Sequence, residues 1–252
     1  MRLTKILSAA GLTYSTYDGA IWSAYETIPD LLIDSTGNFV SPICSGLRLR
    51  YTFAVATSVD RIQITRLSKT SGLTFQATSG DGTTQVECYP ATAQVDNPLS
   101  GSTANEVVRF AEQSDEVYEL EITGLSAETL SFKSTMVGVS GWSPSQFNYD
   151  YGQGIDDGAV LSISESLNSA ISEKQDGKRK EEMQFALAPK SDSDGLTRFL
   201  KFDTVDGLCL FERSIADYND CYLAIVQTQG GRHDSFERYS FGLNILEKHE
   251  CL

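Results

Sequence analysis

The sequence predicts a mainly β protein: an N-terminal β-sandwich over residues 1–141, then a second β domain over residues 142–252 with one short helix. Three observations predict it. Apolar and polar residues alternate at period two over most of the chain, as in "GLRLRYTFAV", which marks half-buried strands. Clusters of Gly, Asp, Asn and Ser, such as "SGDGTT", "DNPLSGS" and "EQSDE", punctuate these runs with turn chemistry. A single segment, "SDSDGLTRFLKFDT", sets its apolar residues at helical spacing instead.

In chain order, the N-terminus "MRLTKILSAAGLTYSTYDGAIW" has a basic start, but its apolar run is interrupted by Ser8 and Gly11 and is too short for a secretory signal. The chain reads as soluble and unprocessed. From Phe39 to Phe132 the pattern is all strand. "GLRLRYTFAV" places Leu47, Leu49, Tyr51 and Phe53 on one face, and "SVDRIQITRL" sets Val59, Arg61, Gln63 and Thr65 against Ile62 and Ile64. "LTFQATS", "TQVECYP", "NEVVRFAE", "VYELEITGL" and "ETLSFKSTMVG" follow as separate short strands, the number and spacing of a sandwich. A composition shift in "GVSGWSPSQFNYDYGQGIDDG" marks the domain boundary. Beyond it, "AVLSISESLNSAIS", "EEMQFALAP", "GLCLFERS", "DCYLAIVQTQ" and "RYSFGLNILE" read as strands. In the helix, Leu196, Phe199 and Leu200 fall at i, i+3 and i+4. Ser191 or Ser193 is placed to cap it, with Asp192 and Asp194 at the positive end of its dipole. Phe185, Leu196, Phe199, Leu200 and Phe211 are the expected core of the second domain.

Charge excludes some functions. Residues 1–138 carry 9 basic and 15 acidic side chains and residues 139–252 carry 11 and 19, which sum to the 20 and 34 of the whole chain and its net charge of −14. Such a chain repels nucleic acid, and it has no polybasic segment for anionic lipid and no apolar run long enough for membrane insertion. The basic run Lys178, Arg179 and Lys180 is followed at once by Glu181 and Glu182. It reads as the solvated lip of a strand, or as an inter-subunit contact facing Asp156 and Asp157 of a neighbouring copy.

Catalytic chemistry is hard to place. The two histidines are His233, in "QGGRHDSFER", and His249, near the C-terminus; a triad is recognised by geometry rather than by the adjacency of His233, Asp234 and Ser235. Five cysteines at irregular spacing, with no CxxC pair, give no zinc site or redox centre and indicate a reducing compartment. No phosphate-cradling or EF-hand pattern occurs, so no catalytic residue, cofactor or metal is expected. Aromatic residues give the clearest lead. Trp22 and Tyr25, in "YDGAIWSAYETIPD", are candidates to stack on a glycan or a partner protein, or else to plug the sandwich. Trp142, Phe147, Tyr149 and Tyr151 around the boundary read as packing.

Two resemblances add expectations. "IWSAYETIPDLLIDSTGNFVS" with "SGLRLRYTFAVATSVDRIQITRL" resembles the discoidin-like, galactose-binding sandwich over residues 18–138, a module that in many proteins binds glycans. From residue 142 on, "FNYDYGQGIDDGAVLSISESLN", "KRKEEMQFAL", "LTRFLKF", "DGLCLFE" and "RYSFGLNILE" resemble the tail-tube-related domain of the lambda minor tail protein M and siphophage distal tail proteins. The matching residues are Phe185, Phe199, Phe202, Gly207, Phe211, Tyr239 and Glu247. That resemblance implies a tail-tube-like β-barrel or sandwich and a structural role, without a chemical step, in a long-tailed phage tail tip. Copies would form a ring, a hexamer in that family, joined to tube, tape-measure and hub proteins in a virion assembled in the host cytoplasm. The alternative is a free carbohydrate-binding module or glycan-binding adhesin.

Overall fold

The computed structural model describes residues 2–28, 38–94, 104–144, 149–156, 159–163, 169–174, 178–212, 221–235 and 238–247. It is mainly β, with one short α-helix among the described residues. The chain packs as two compact units. Unit 1 is Met1–Gly141 with Phe211–Tyr222, and unit 2 is Trp142–Leu210 with Leu223–His249. Unit 1 is therefore not contiguous in sequence.

Unit 1 begins with β1 (Arg2–Leu7) and β2 (Gly11–Tyr17), where the sequence reads only a failed signal segment. Both are integral strands: Leu3 and Leu12 are buried, and β2 pairs antiparallel with the strand that holds Tyr51 along Gly11↔Thr52 to Tyr17↔Gly46. The remaining elements of this unit are β3 (Glu26–Thr27), β4 (Phe39–Val40), β5 (Cys44–Leu67), β6 (Thr74–Gly80), β7 (Gln85–Ala93), β8 (Ala104–Glu128), β9 (Ser131–Phe132) and β10 (Ser134–Trp142).

The organising feature is the pair β5 and β8. Each was expected as two strands, and each is one long bent strand of 24 and 25 residues. Their pairing from Gly46↔Thr123 to Thr52↔Val117 belongs to a front layer that continues through β6 to β7 on one side and β2 to β3 on the other. After an irregularity between Thr52 and Thr57 the pairing resumes from Thr57↔Asp115 to Leu67↔Ala104, where β10 joins along Ser134↔Thr65 to Gly138↔Arg61. "EQSDE" is thus a bend inside β8 and not a loop. The Tyr118 hydroxyl fastens that bend: it lies 2.7 Å from the Thr57 carbonyl and 2.8 Å from that of Gln113, and accepts from the Asp115 N–H at 3.0 Å. Strands that change layer at a bulge are the corners of a sandwich.

Inward residues of both layers share one core, from Leu47, Leu49, Tyr51 and Phe53 to Ile62, Ile64, Tyr118, Leu120, Ile122 and Val137. The inward parity is odd at 47–53 and even at 62–64, because the register shifts between Val59 and Arg61. Tyr51 in the front layer reaches Thr135 on β10 with its hydroxyl.

The alternation reads as a half-buried strand, but the polar face is covered as well. Arg61 is 1% exposed, and Gln63 and Thr65 are buried beside it. Arg61 is compensated in place: its Nε donates to Asp60 at 2.8 Å, one Nη to Ser140 at 2.5 Å, and the other pairs with Glu212, itself 0% exposed. Arg109 reaches the second Glu212 oxygen at 3.3 Å. Burial opposes ionisation of Asp60, but the hydrogen bonds from Arg61 and Ser140 outweigh it and hold the carboxyl below its usual range.

Unit 2 holds β11 (Tyr149–Asp156), β12 (Ala159–Ile163), β13 (Ser169–Lys174), β14 (Lys178–Pro189), α1 (Lys190–Arg198), a π-helical turn Phe199–Asp203, β15 (Leu208–Glu212, passing to unit 1 at Phe211), β16 (Cys221–Ser235) and β17 (Arg238–Glu247). β14 lies between β11 and β17, β16 pairs with β17, and β12 with β13 forms a separate hairpin. The helix starts before either serine: its N-cap lies two residues ahead of Ser191 and four ahead of Ser193. Pro189 is its N-cap residue and makes no side-chain cap, so neither Ser191 nor Ser193 plays that part. Phe185, Leu196 and Phe199 are buried, Leu200 is half-buried, and Phe202 is exposed. Phe211 is buried but belongs to unit 1, with its ring 5.3 Å from that of Tyr222. Trp142 is buried in unit 2, edge-on to Phe185 at 6.0 Å and to Phe241 at 6.4 Å, and its indole N–H donates to the Asp192 carbonyl at 3.0 Å. Phe147 lies outside the described residues.

Candidate functional site

On the outer face of the front layer the alternation of β5 and β8 puts charge opposite charge. Arg48 pairs with Glu121 and Arg50 with Glu119 in direct cross-strand register. Arg48 Nη2 donates to Glu121 at 2.6 Å and Arg50 Nε to Glu119 at 2.6 Å. The next strand continues the polar face, with Gln76 opposite Glu121 and Thr78 opposite Glu119.

Trp22 and Tyr25 lie over this face. Asp18 begins the turn that returns them: its carboxylate accepts from the Ala20 and Ile21 N–H groups at 2.8 and 2.9 Å, and Gly19 takes the positive φ of +106° that the turn needs. Those backbone bonds hold the Asp18 carboxyl below its usual range. The segment then runs back along β2, through the Tyr17↔Trp22 bridge and the Ser23 N–H to Thr16 carbonyl bond at 2.8 Å, while Ser15 Oγ donates to the Ser23 carbonyl at 2.7 Å.

The result is two aromatic–guanidinium stacks. The Arg48 guanidinium carbon sits 4.1 Å from the Trp22 ring centroid, and that of Arg50 sits 3.8 Å from the Tyr25 centroid, both within cation–π range. Tyr17 packs on Trp22 at 5.2 Å, tilted by 35°. The Tyr25 hydroxyl donates to Glu119 at 2.6 Å, so Glu119 receives both Tyr25 and Arg50. Burial, then the bond to Glu119, raises the Tyr25 phenol above its usual range. For Arg48, burial opposes the charge, but the bonds to Glu121 and Tyr25 outweigh it and raise its pKa. Trp22 and Tyr25 are each half-buried. The arrangement can bind a ligand that offers a face of C–H groups to the rings and hydroxyls to the fixed donors and acceptors beside them.

Of the residues singled out from the sequence, Trp22 and Tyr25 are brought together. Their partners Arg48, Arg50, Glu119 and Glu121 were missed. The alternation of "LRLRY" against "YELEI" marks those side chains as sharing the outward parity, but register and the fold-back of residues 18–27 join them, and neither is written in local pattern. The basic run lies on β14, where the antiparallel register sets Lys178 opposite Asp156, Arg179 opposite Ile155 and Lys180 opposite Gly154 within one chain. This register is an intra-chain alternative to the inter-subunit contact, the second of the two readings given for these residues beside the solvated strand lip. Asp157 and His249 lie outside the described residues, and His233 stands opposite Tyr239 where β16 nears its end. No cluster of His, Cys, Asp and Glu suited to a metal ion occurs among the described residues. In "SGDGTT" Asp81 caps the N–H groups of Thr83 and Thr84 at 2.8 Å each. Cys209 is a buried thiol that burial pushes up to about 12.

No family model matches this sequence, and no curated protein matches it. Among solved structures, chitosan-binding module 1 of a chitosanase/glucanase from Paenibacillus sp. IK-5 is similar at 14% identity over 52% of this chain and 97% of that one, with a TM-score of 0.38. The CBM32 of AlyQ, in complex with 4,5-unsaturated mannuronic acid, matches at 17% identity over 52% of this chain and 96% of that one, TM-score 0.37. CpGH89CBM32-5 from Clostridium perfringens, in complex with GalNAc-β-1,3-galactose, matches at 10% identity over 52% of this chain and all of that one (100%), TM-score 0.38. These neighbours are carbohydrate-binding modules, yet at such scores the likeness establishes neither ligand nor site. None of the three is a tail protein, and the comparisons give the tail-protein resemblance of residues 142–252 no support.

Proposed function

We propose that the chain is a glycan-binding module, acting through the Trp22 and Tyr25 platform on the outer face of the front layer, with no chemical step. The observation that carries this reading is the pair of aromatic–guanidinium stacks, each braced by a carboxylate, on a half-exposed sheet face. Aromatic rings beside fixed planar polar groups supply both halves of sugar recognition, an apolar platform and oriented hydrogen bonds.

A glycan array probed with the whole chain tests it, followed by titration of the best ligand. Trp22→Ala is expected to weaken binding about tenfold, the equivalent of about 1.4 kcal/mol. Unchanged affinity in a folded variant removes the site, and an array without a hit removes the function. The tail-ring reading, with its ring of copies, tail-protein partners and virion setting, rests on the sequence resemblance alone and gains no observation from the fold. Light scattering separates the two, since a ring-former gives oligomers and a free glycan module a monomer.

A further inference from the structure

The two stacks are adjacent along one strand. Arg48 and Arg50 are two residues apart on β5 and point to the same face, so their Cα atoms are about 7 Å apart along the strand and each carries its own ring stack. A glycan laid along the strand therefore crosses both stacks. Behind each ring stands its own polar group: Glu121 behind the Trp22–Arg48 stack, and Glu119 behind the Tyr25–Arg50 stack. Gln76 and Thr78 stand opposite these carboxylates in the same order on β6.

Charge narrows the ligand further. Each guanidinium is already matched by a carboxylate at 2.6 Å, so neither offers an uncompensated positive charge to an acidic sugar. Around them the chain carries −14 overall, which repels a polyanion. Neutral hydroxyls, by contrast, can donate to Glu121, which is partly exposed, and accept from the guanidinium edges, while the buried Glu119 holds Arg50 and Tyr25 in place.

Resting on the glycan-binding reading above, we propose that the Trp22–Arg48 and Tyr25–Arg50 stacks are two adjacent subsites for consecutive rings of a neutral oligosaccharide. The ligand lies along β5 and is bound as a stretch of chain. A terminal sugar alone fills one subsite.

The test is calorimetric titration of the whole chain with neutral oligosaccharides of one to four rings, in glucose-, N-acetylglucosamine- and galactose-based series, with polygalacturonate as the acidic comparison. In the series that binds, affinity is expected to rise at least about tenfold from one ring to two and to change little beyond that. Trp22→Phe and Tyr25→Leu should each flatten that step. The chain has only two tryptophans, so the indole N–H resonance of the unmutated protein gives a second readout. Comparison with the Trp22→Phe spectrum assigns the Trp22 signal, which should move with the two-ring ligand. Equal affinity for one and two rings overturns the two-subsite proposal and leaves glycan binding standing. Polygalacturonate binding as tightly as the neutral series overturns the neutral assignment, and a two-ring ligand that leaves the Trp22 indole unmoved overturns the location. Binding to no glycan at all overturns the reading on which the proposal rests.

Discussion

Burial of Glu106, relieved only in part by the 2.7 Å hydrogen bond from Gln94 Nε2, pushes its carboxyl up to about 7. The unfolded carboxyl titrates near 4.5, so folding favours the protonated form. Its contribution to stability is fully present below pH 4.5 and is lost as the pH rises through about 7. Glu106→Gln keeps an amide able to meet Gln94 and has nothing to ionise. It is expected to stabilise the protein at pH 8 by on the order of 2 kcal/mol, with little effect at pH 4.5. Urea midpoints at the two pH values check this, and an equal effect at both would show that Glu106 is hydrated in the native state. At the same scale, Tyr25→Phe keeps the ring over Arg50 but removes the hydroxyl from Glu119. A loss of about 1 kcal/mol is expected in thermal unfolding, since a hydrogen bond to a charged acceptor is lost while a second donor, Arg50, remains.

Among the elements, α1 and the π-helical turn after it depend on packing more than on their ends. With Pro189 as N-cap and no side-chain cap bond, the helix has no local start signal beyond Asp192 in its first turn. Its burial rests on Leu196 and on Phe199, which opens the π turn. Phe199→Ala is therefore expected to destabilise the protein by about 3–5 kcal/mol, measured by denaturant unfolding. A cost below about 1 kcal/mol would place the ring in solvent. The helix and the period-two strands were legible because each buries an apolar stripe that its own period dictates. β5 and β8 were not legible as single strands, because the inward parity changes at the bulge near Arg61 and the polar bend "EQSDE" mimics a turn. The buried polar face of Arg61, Gln63 and Thr65 was equally hidden: alternation separates two faces but does not say that both are covered. The candidate site was half legible, its aromatics by composition and its arginines and glutamates only through register.

At the scale of the whole molecule, the consequential fact is that unit 1 is completed by a distant piece of sequence. Glu212 lies 151 positions from Arg61, yet it is fully buried and holds both Arg61 and Arg109. Arg61 is withdrawn from water and Arg109 partly so to make this cluster, and its Coulombic gain depends on keeping all its members. Glu212→Gln leaves both arginines without their shared charge and should cost about 3–5 kcal/mol in the unfolding of unit 1. Because Glu212 is sheltered from solvent, added salt should change that cost little, unlike the exposed Lys190–Asp194 pair at 3.8 Å. A polypeptide ending at Gly141 keeps every strand from β1 to β9 and most of β10, but it lacks Glu212 altogether. It is expected to fold, since it keeps the main apolar cluster, and to unfold at a denaturant midpoint no higher than that of unit 1 in the Glu212→Gln chain, because it also loses the buried Phe211 and Tyr222. A midpoint equal to that of the unmodified whole chain would mean that Asp60 and Ser140 compensate Arg61 by themselves and that Glu212 contributes nothing to the unit it completes.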